Sequence, residues 1–333
     1  MGNKKHKISL FSVHLLLLFL LAVNAQFNFQ NEYLPGIKTK DEAILGMQKI
    51  LEFLVKTPKK RSSDTNATEV KFYNATSSTV QDLKYHVLLC KSVNCRDSLD
   101  KWDCPFCKRY FPDIEVVRTF GTYPLDITGE ILLSRTKKTI YLLVRGASML
   151  DDQVDVPFIP GGKVQQGARM SVEDIWGGVN NTMVDLLKLY PEYRVHVIGH
   201  SYGALVASYL TLKLFHDIPK INSENLSAYL IGKPRVGNLQ YSQYVKDNKI
   251  DIKRMVHLRD NAPHGEPNSE DYVHEGVEYW EISDKPSRTC YDKANTRKVK
   301  CEGDRETREC SNSLNFTTVL DHLVSYGVNL GCE

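Results

Sequence analysis

The feature that most constrains the fold is a serine placed between a strand pattern and a helix pattern. Residues 193–198 (YRVHVI) alternate and are rich in β-branched side chains, which indicates a strand, and residues 204–215 (ALVASYLTLKLF) are apolar enough for a packed helix. The sequence between them, GHSYG, fits G-x-S-x-G, in which the glycines avoid collisions with the neighbouring strand and helix. The pattern predicts a sharp strand-to-helix turn that pushes the Ser201 hydroxyl out of the sheet.

Strand and helix patterns alternate along the chain on both sides of this turn. Further strands are predicted at residues 139–145, 226–231, 252–258 and 279–282, and helices at residues 172–189, 241–246 and 316–326. This alternation predicts an α/β fold with a mostly parallel central sheet and helices on both faces. Because the chemistry of such sheets lies at the carboxyl ends of the strands, Ser201 is a candidate functional residue.

The first residues have the composition of a secretory signal. Three lysines precede the apolar run 15–21, and small residues at Val23 and Ala25 form a cleavage site, which predicts a signal peptide over residues 1–25. The apolar run is short for a membrane span, so we expect a secreted protein with no stable membrane insertion. Five N-x-S/T sites agree with secretion, at Asn66, Asn74, Asn180, Asn225 and Asn315.

A second processing site is predicted at the tribasic run 59–61, which makes residues 26–61 a propeptide and residues 62–333 the catalytic domain. Apolar residues between the two sites fall on one helical face, so the alternative is an ordinary N-terminal helix of the domain. Residues 1–25 and 26–61 each carry +3, and the whole chain carries +3, which leaves about −3 for the remainder. The catalytic domain therefore lacks the basic character of a nucleic-acid-binding protein.

All eight cysteines lie in the part that remains after both cleavages, and an even count in a secreted chain predicts disulfides. Cys104-x-x-Cys107 alone is also compatible with zinc or with a redox pair. A second C-x-x-C motif is absent from the sequence, and the compartment is oxidising, so we expect a structural bridge there and no metal site.

A serine hydroxyl near its free pKa is a poor nucleophile, so a reactive serine needs a histidine base and a carboxylate that orients the base. Five histidines follow Ser201, at positions 216, 257, 264, 274 and 322. His322 is late enough to be carried over the serine on a loop, whereas His216 faces away on the next helix and His257 lies inside a strand. Asp260 directly follows a strand and is favoured over Asp251 and Asp271, which remain alternatives.

Five segments resemble the fungal class 3 lipases, and they occur in the family's order. They are residues 144–148 (VRGAS), 199–204 (GHSYGA), 232–238 (GKPRVGN), 259–264 (RDNAPH) and 319–323 (VLDHL). The likeness is to the Rhizomucor and Rhizopus triacylglycerol lipases and runs from about Ala75 to the C terminus. It implies an α/β-hydrolase fold with a short helical lid, with Ser201 as nucleophile, His322 as base and Asp260 as its partner, and with no cofactor.

The resemblance also implies an oxyanion hole and a set of disulfides. The implied oxyanion donors are the backbone N–H groups of Ala147 and Tyr202. Family members usually have Ser or Thr where Ala147 stands. Because alanine lacks the hydroxyl of those residues, we expect a rate lower by about 10²-fold. The implied disulfides are Cys95–Cys332, Cys104–Cys107 and Cys301–Cys310. Cys90 and Cys290 have no family counterpart, so they either pair with each other or stay free.

The segment after Ala147 is where the resemblance places the lid. Ser148-x-x-Asp151 fits a capping box, and Leu150 and Val154 share one face of a helix. The alternative is a short surface helix without a covering role. Three aspartates among residues 151–155 predict weak binding to anionic membranes, which favours neutral or more soluble esters over phospholipid.

These observations predict a secreted, monomeric serine esterase, foremost a triacylglycerol lipase that acts on ester or lipid substrates at a lipid–water interface. A feruloyl-type or short-chain carboxylesterase is the second hypothesis. A catalytically impaired relative that binds lipid is the third, and Ala147 is the reason to consider it.

Overall fold

A nine-stranded sheet is the framework of the described part of the chain. The structure is a computed structural model that describes residues 72–94, 101–121, 127–145, 153–266, 269, 271–283, 296–301, 310–314 and 316–331. The strands of this sheet are β1 (Phe72–Asn74), β2 (Ile114–Gly121), β3 (Thr128–Ser134), β4 (Thr139–Arg145), β7 (Arg194–His200), β8 (Leu226–Ile231), β9 (Asp251–His257), β10 (Val277–Ser283) and β11 (Thr296–Cys301). Two small hairpins pair β5 (Gln153–Asp155) with β6 (Lys163–Gln165) and β12 (Val324–Ser325) with β13 (Val328–Asn329).

The centre of the sheet is parallel and its edges are antiparallel. The strand order is β1-β11-β10-β9-β8-β7-β4-β3-β2. The five strands from β10 to β4 are parallel, while β3, β2, β11 and β1 pair antiparallel at the two sides. The mostly parallel central sheet predicted from the alternation is therefore present, with antiparallel strands added at both edges.

Helices cover both faces of the sheet. They are α1 (Ser77–Asn94), α2 (Pro105–Tyr110), α3 (Gln166–Leu189), α4 (Tyr202–Asp217) and α5 (Leu239–Asp247). Side chains of α3 and α4 pack with one face of the central strands, and side chains of α1 pack with the other face. Twelve residues of α4 are buried, which explains why its sequence is apolar all round. None of the described helices is both long and apolar enough to cross a membrane.

The predicted helix at residues 316–326 is wrong. The segment instead contains a short 3₁₀ turn (Val319–His322) followed by the β12–β13 hairpin. Tyr326 and Gly327 at the turn of that hairpin have φ values of 50° and 72°, which an α-helix cannot contain. In this segment Leu320 and Leu323 are exposed, whereas Val324 and Tyr326 are buried.

The helical prediction for Val154 is also wrong, because Val154 lies in β5 opposite Val164 of β6. The alternation Gln-Val-Asp-Val at residues 153–156 has the period of a strand, and β-branched residues favour that structure. Ser148 and Leu150 lie outside the described residues, as do the predicted signal peptide and propeptide. The sequence reasoning did not predict α1, α2, β1, β2, β3, β11 or the strands of the two small hairpins.

Candidate active site

Ser201 occupies the sharp turn between β7 and α4. Its φ and ψ are 57° and −128°, a conformation that L-residues adopt only under strain. A Cβ on Gly199 would lie 2.4 Å from the carbonyl oxygen of Gly203, so the strand and helix approach closely only because glycine stands there. The turn is held by hydrogen bonds from the Ser201 N–H to the Ile231 carbonyl and from the Ala204 N–H to the Ser201 carbonyl.

Asp260 lies three residues beyond β9 and is buried, with 2% of its surface exposed. Its backbone N–H donates to the His257 carbonyl, and its Oδ1 accepts from the Ala262 N–H at 2.9 Å. A short parallel bridge joins it to Thr318, the residue at the start of the turn that carries His322. This bridge therefore joins the segment after β9 to the C-terminal segment next to Asp260.

His322 lies between Ser201 and Asp260. Its Nε2 is 2.8 Å from the Ser201 Oγ, and its Nδ1 is 2.9 Å from the Asp260 Oδ1. The structure thus brings together the three residues that the sequence singled out, from the turn after β7, the turn after β9 and the 3₁₀ turn Val319–His322. Gly232, which follows β8 with φ 53°, leaves the room for this contact, because a Cβ there would lie 2.7 Å from the Asp260 Oδ2.

The electrostatics favour an ionised carboxylate beside the imidazole. Burial alone would raise the pKa of Asp260, but the His322 charge and the hydrogen bonds from His322 and Ala262 outweigh it and lower that pKa. An ionised Asp260 accepts a hydrogen bond from Nδ1–H, so the neutral imidazole keeps its lone pair on Nε2, the atom that faces Ser201. The arrangement can therefore accept the proton of the serine hydroxyl.

The backbone N–H of Tyr202 belongs to the first turn of α4. Such N–H groups point out of the helix N terminus, where the helix dipole favours negative charge. Tyr202 therefore lies next to Ser201 where a developing oxyanion would benefit from a donor. Ala147, the other donor that the resemblance implied, lies outside the described residues.

The alternative histidines have other environments. The His257 Nδ1 is 2.5 Å from the buried Glu281 carboxylate, and the His274 Nε2 is 3.0 Å from the Pro263 carbonyl. His216 lies at the end of α4 and is 46% exposed, with its Nδ1 next to Asp217. The His322 ring, in contrast, contacts both the Ser201 Oγ and the Asp260 Oδ1.

Two of the implied disulfides are present, Cys104–Cys107 and Cys301–Cys310. The first bridges the start of α2, and the second joins the last residue of β11 to Cys310. Glu278 lies near the second pair, but these cysteines are bonded to each other rather than available to a metal ion. Cys90 is free and buried, and burial raises the pKa of its thiol to about 12. Cys95, Cys290 and Cys332 lie outside the described residues.

The segment around His322 also presents apolar side chains to solvent, which the sequence reasoning missed. Phe316, Leu320 and Leu323 are 59%, 49% and 51% exposed. The Arg259 guanidinium lies 4.7 Å from the centre of the Phe316 ring. The sequence predicted a helix over these residues, and their exposure appears only in the turn structure, where they lie within six residues of His322 along the chain.

Comparisons with known proteins agree with this geometry. The class 3 lipase family matches residues 133–269. A lipase from Rhizopus niveus is 33% identical over 284 residues, which cover 81% of this chain and 70% of the relative. Among solved structures, a triacylglycerol lipase whose catalytic centre is a serine protease triad has a TM-score of 0.72 and 33% identity, covering 78% of this chain and 99% of that one. A propeptide complex of Rhizomucor miehei lipase has a TM-score of 0.72 and 31% identity, covering 86% and 94%.

Proposed function

The chain belongs to the class 3 lipase family, and from this membership we propose that it hydrolyses triacylglycerols through an acyl-enzyme formed at Ser201. The observation that carries the proposal is the continuous hydrogen-bonded line from the Ser201 Oγ through the His322 imidazole to the Asp260 carboxylate, with contacts of 2.8 and 2.9 Å. Nucleophile, base and orienting acid are the three parts that acyl transfer by a serine requires.

In the first half-reaction, the Ser201 Oγ attacks the ester carbonyl while its proton moves to the His322 Nε2. The tetrahedral intermediate collapses when Nε2 returns that proton to the leaving alcohol oxygen, and the acyl group stays on Ser201. Water then loses a proton to Nε2 and attacks the acyl carbonyl, and Nε2 gives the proton to Ser201 as the fatty acid leaves. Asp260 remains ionised throughout and stabilises the imidazolium.

The oxyanion of each intermediate needs donors that are already in place. We assign the Tyr202 N–H to this role because it lies in the first turn of α4, immediately after the nucleophile. The second donor is the Ala147 N–H, as in the family pattern. An Ala147→Ser variant is expected to be about 10²-fold faster if the missing hydroxyl limits the rate.

Exposed apolar side chains near His322 in the sequence support a lipid substrate. Phe316, Leu320 and Leu323 lie on the segment that carries the base, and each is about half exposed or more. Exposed apolar side chains lose unfavourable contact with water when they meet a lipid phase. An ester in an emulsion would contact the segment that carries His322 through these side chains.

The decisive experiment compares wild type with Ser201→Ala on tributyrin, below and above its solubility limit. We expect the alanine variant to be at least about 10³-fold slower, and the exposed serine variant Ser313→Ala to match wild type. A jump in rate when the emulsion forms supports a lipase. If wild type is no faster than Ser201→Ala on any ester, the chain is instead the catalytically impaired, lipid-binding relative.

A short-chain or feruloyl-type esterase is the second candidate, and Val154 favours it. Val154 packs against the core in the β5–β6 hairpin instead of presenting a helical lid face. With less apolar surface on the cover, the rate advantage of an emulsion should shrink. Smooth saturation of the rate through the solubility limit would support this candidate.

We also propose that the protein is secreted with residues 1–25 as signal peptide and residues 26–61 as propeptide. The solved propeptide complex of the Rhizomucor miehei relative supports a propeptide in this position. N-terminal sequencing of the protein recovered from the medium should give Ser62 after cleavage behind the tribasic run. An N terminus near Gln26 would show that residues 26–61 stay with the domain.

Among the described N-x-S/T sites, we assign the glycan to Asn74. Asn74 lies exposed on the short edge strand β1, whereas Asn180 is half-buried within α3. The Asn225 amide is engaged, since its Nδ2 donates to the Lys220 carbonyl and its Oδ1 accepts from the Asn222 N–H. Deglycosylation in ¹⁸O-water should label Asn74 and leave Asn225 unlabelled.

A further inference from the structure

His200, the last residue of β7, lies against the proposed base. The centres of the His200 and His322 rings are 4.6 Å apart, and the ring planes are inclined by 29°. The His200 Nε2 is 2.9 Å from the His322 backbone carbonyl oxygen. A carbonyl can only accept a hydrogen bond, so the proton of neutral His200 must be on Nε2. His200 therefore contacts both the ring and the backbone of His322.

His200 stays uncharged in this environment. Burial, and after it the neighbouring His322, lowers the pKa of His200 to about 3, against smaller opposite effects of the His322 carbonyl and Asp260. These are the titratable groups that face the ring. A neutral neighbour suits the reaction, because His322 becomes an imidazolium during acyl transfer and a second positive charge in ring contact would repel it.

We infer that His200 is a positioning residue for acyl transfer: its Nε2–H holds the His322 backbone, and its ring supports the His322 imidazole in the orientation that faces both Ser201 and Asp260. The inference rests on the proposed function of His322. It goes beyond the three reacting side chains, because it gives a chemical reason for histidine immediately before the nucleophile. Any small side chain there would satisfy the strand-to-helix turn alone.

Two variants separate the two contacts. His200→Phe keeps a flat ring against His322 but removes the donor, whereas His200→Gln keeps an N–H near the position of Nε2 but removes the ring. We expect His200→Phe to lower kcat about ten- to hundredfold with little change in KM, because the base is misplaced while the ester-binding surface is intact. His200→Gln should recover part of that loss.

The readouts are chosen so that ester specificity does not decide the result. In the first readout, a fluorophosphonate phosphonylates Ser201: the serine oxygen bonds to phosphorus as fluoride leaves. The rate of this reaction reports activation of the nucleophile without an ester. The downfield NMR resonance of the His322 Nδ1 proton reports its bond to Asp260. Wild type should react and show the resonance. His200→Phe should react about ten- to hundredfold more slowly and show a shifted or broadened resonance.

The inference would be overturned if His200→Phe were phosphonylated at the wild-type rate and showed an unchanged Nδ1 proton resonance. It is also overturned if both variants lose phosphonylation only in proportion to a lowered thermal midpoint, since that result shows a purely structural role. If wild type is phosphonylated at Ser201 but hydrolyses no ester, the proposed function fails while the positioning role is still measured.

Discussion

The carboxylate of Asp321 accepts a hydrogen bond from the backbone N–H of Arg259 at 3.1 Å. Each residue immediately precedes a member of the proposed triad, so this contact joins the segments that carry Asp260 and His322. The Thr318 N–H adds a second link by donating to the Arg259 carbonyl at 2.7 Å. The distance between acid and base is thereby set by the backbone as well as by their own hydrogen bond.

Asp321→Ala should lower kcat about tenfold and the free energy of unfolding by about 1–3 kcal/mol, because the Arg259 N–H loses its charged acceptor. Asp321→Asn keeps an acceptor oxygen at nearly the same position and should be much milder in both respects. Tributyrin kinetics and urea unfolding of the two variants check this. Equal kcat in Asp321→Ala and wild type would show that the link does not position the triad.

Gly232 should be sensitive to substitution because a side chain there would collide with the triad itself. Its φ is 53°, and a Cβ there would lie 2.7 Å from the Asp260 Oδ2 and 2.9 Å from the His322 Nδ1. We expect Gly232→Ala to lower kcat at least about 100-fold by displacing the imidazole, and to destabilise the fold by about 1–2 kcal/mol.

The matched control is Gly177→Ala, on an exposed position of α3 where an added Cβ meets no atom within 4 Å. That variant should keep wild-type kcat and gain up to about 1 kcal/mol of stability from helix propensity. Similar kinetics for the two alanine variants would contradict the steric argument at Gly232.

Glu281 secures the hairpin that follows His322. Its Oε2 accepts from the Tyr326 N–H at 3.0 Å and from the His257 ring, and its Oε1 is 3.0 Å from the Lys298 Nζ. Burial alone would raise the pKa of Glu281, but His257 and Lys298 lower it to about 2. Glu281→Gln should therefore reduce the free energy of unfolding by about 3 kcal/mol.

Urea unfolding measures this change, and Glu115→Gln is the control. Glu115 forms an ion pair with Arg135 in which both side chains are more than half exposed, so its loss should leave the midpoint near that of wild type. An equal decrease of the unfolding midpoint in both variants would show that loss of one negative charge, and not loss of the buried contacts of Glu281, destabilises the protein.

The sharp turn at Ser201 was predictable from sequence because its cause is local. Strand, glycine, serine and helix follow one another within residues 193–215, and Gly199 has the close contact that the motif requires. Asp260 and His322 could be proposed from chain order, since each comes after the nucleophile at a suitable place. Their mutual distances depend on the links of Arg259 to Asp321 and Thr318, which no short window of sequence shows.

The C-terminal segment was mispredicted for the same reason. Residues 316–326 have helix-like apolar spacing, but their hydrogen bonds go to partners far along the chain, such as Glu281 for the Tyr326 N–H. Helix α1 was missed because its first turn is rich in Ser and Thr, although Leu83 and Val87 are fully buried beneath the sheet. Tertiary contacts outweighed local pattern in both cases.

Buried histidines should make the fold sensitive to mild acid. Burial is the main cause that lowers the pKa of four described histidines: His86 and His200 to about 3, and His196 and His274 well below 6.5. Well above pH 6.5 these histidines are neutral in both the folded and the unfolded protein, so they do not change the free energy of unfolding with pH. As pH falls from 6.5 toward 3, the unfolded chain binds protons that the native state does not, so stability decreases.

The slope should reach up to about 5.5 kcal/mol per pH unit if all four contribute, at about 1.4 kcal/mol per pH unit each. Urea unfolding at pH 7, 6 and 5 measures it, above the range where Glu281 and Asp260 begin to titrate. His86→Phe keeps a ring to stack on Tyr229, 3.4 Å between centres in wild type, but removes one titrating group. The slope of stability against pH for this variant should be smaller by the contribution of one proton, about 1.4 kcal/mol per pH unit. A wild-type stability that stays constant from pH 7 to 5 would contradict the assignment of these histidines as neutral in the folded protein.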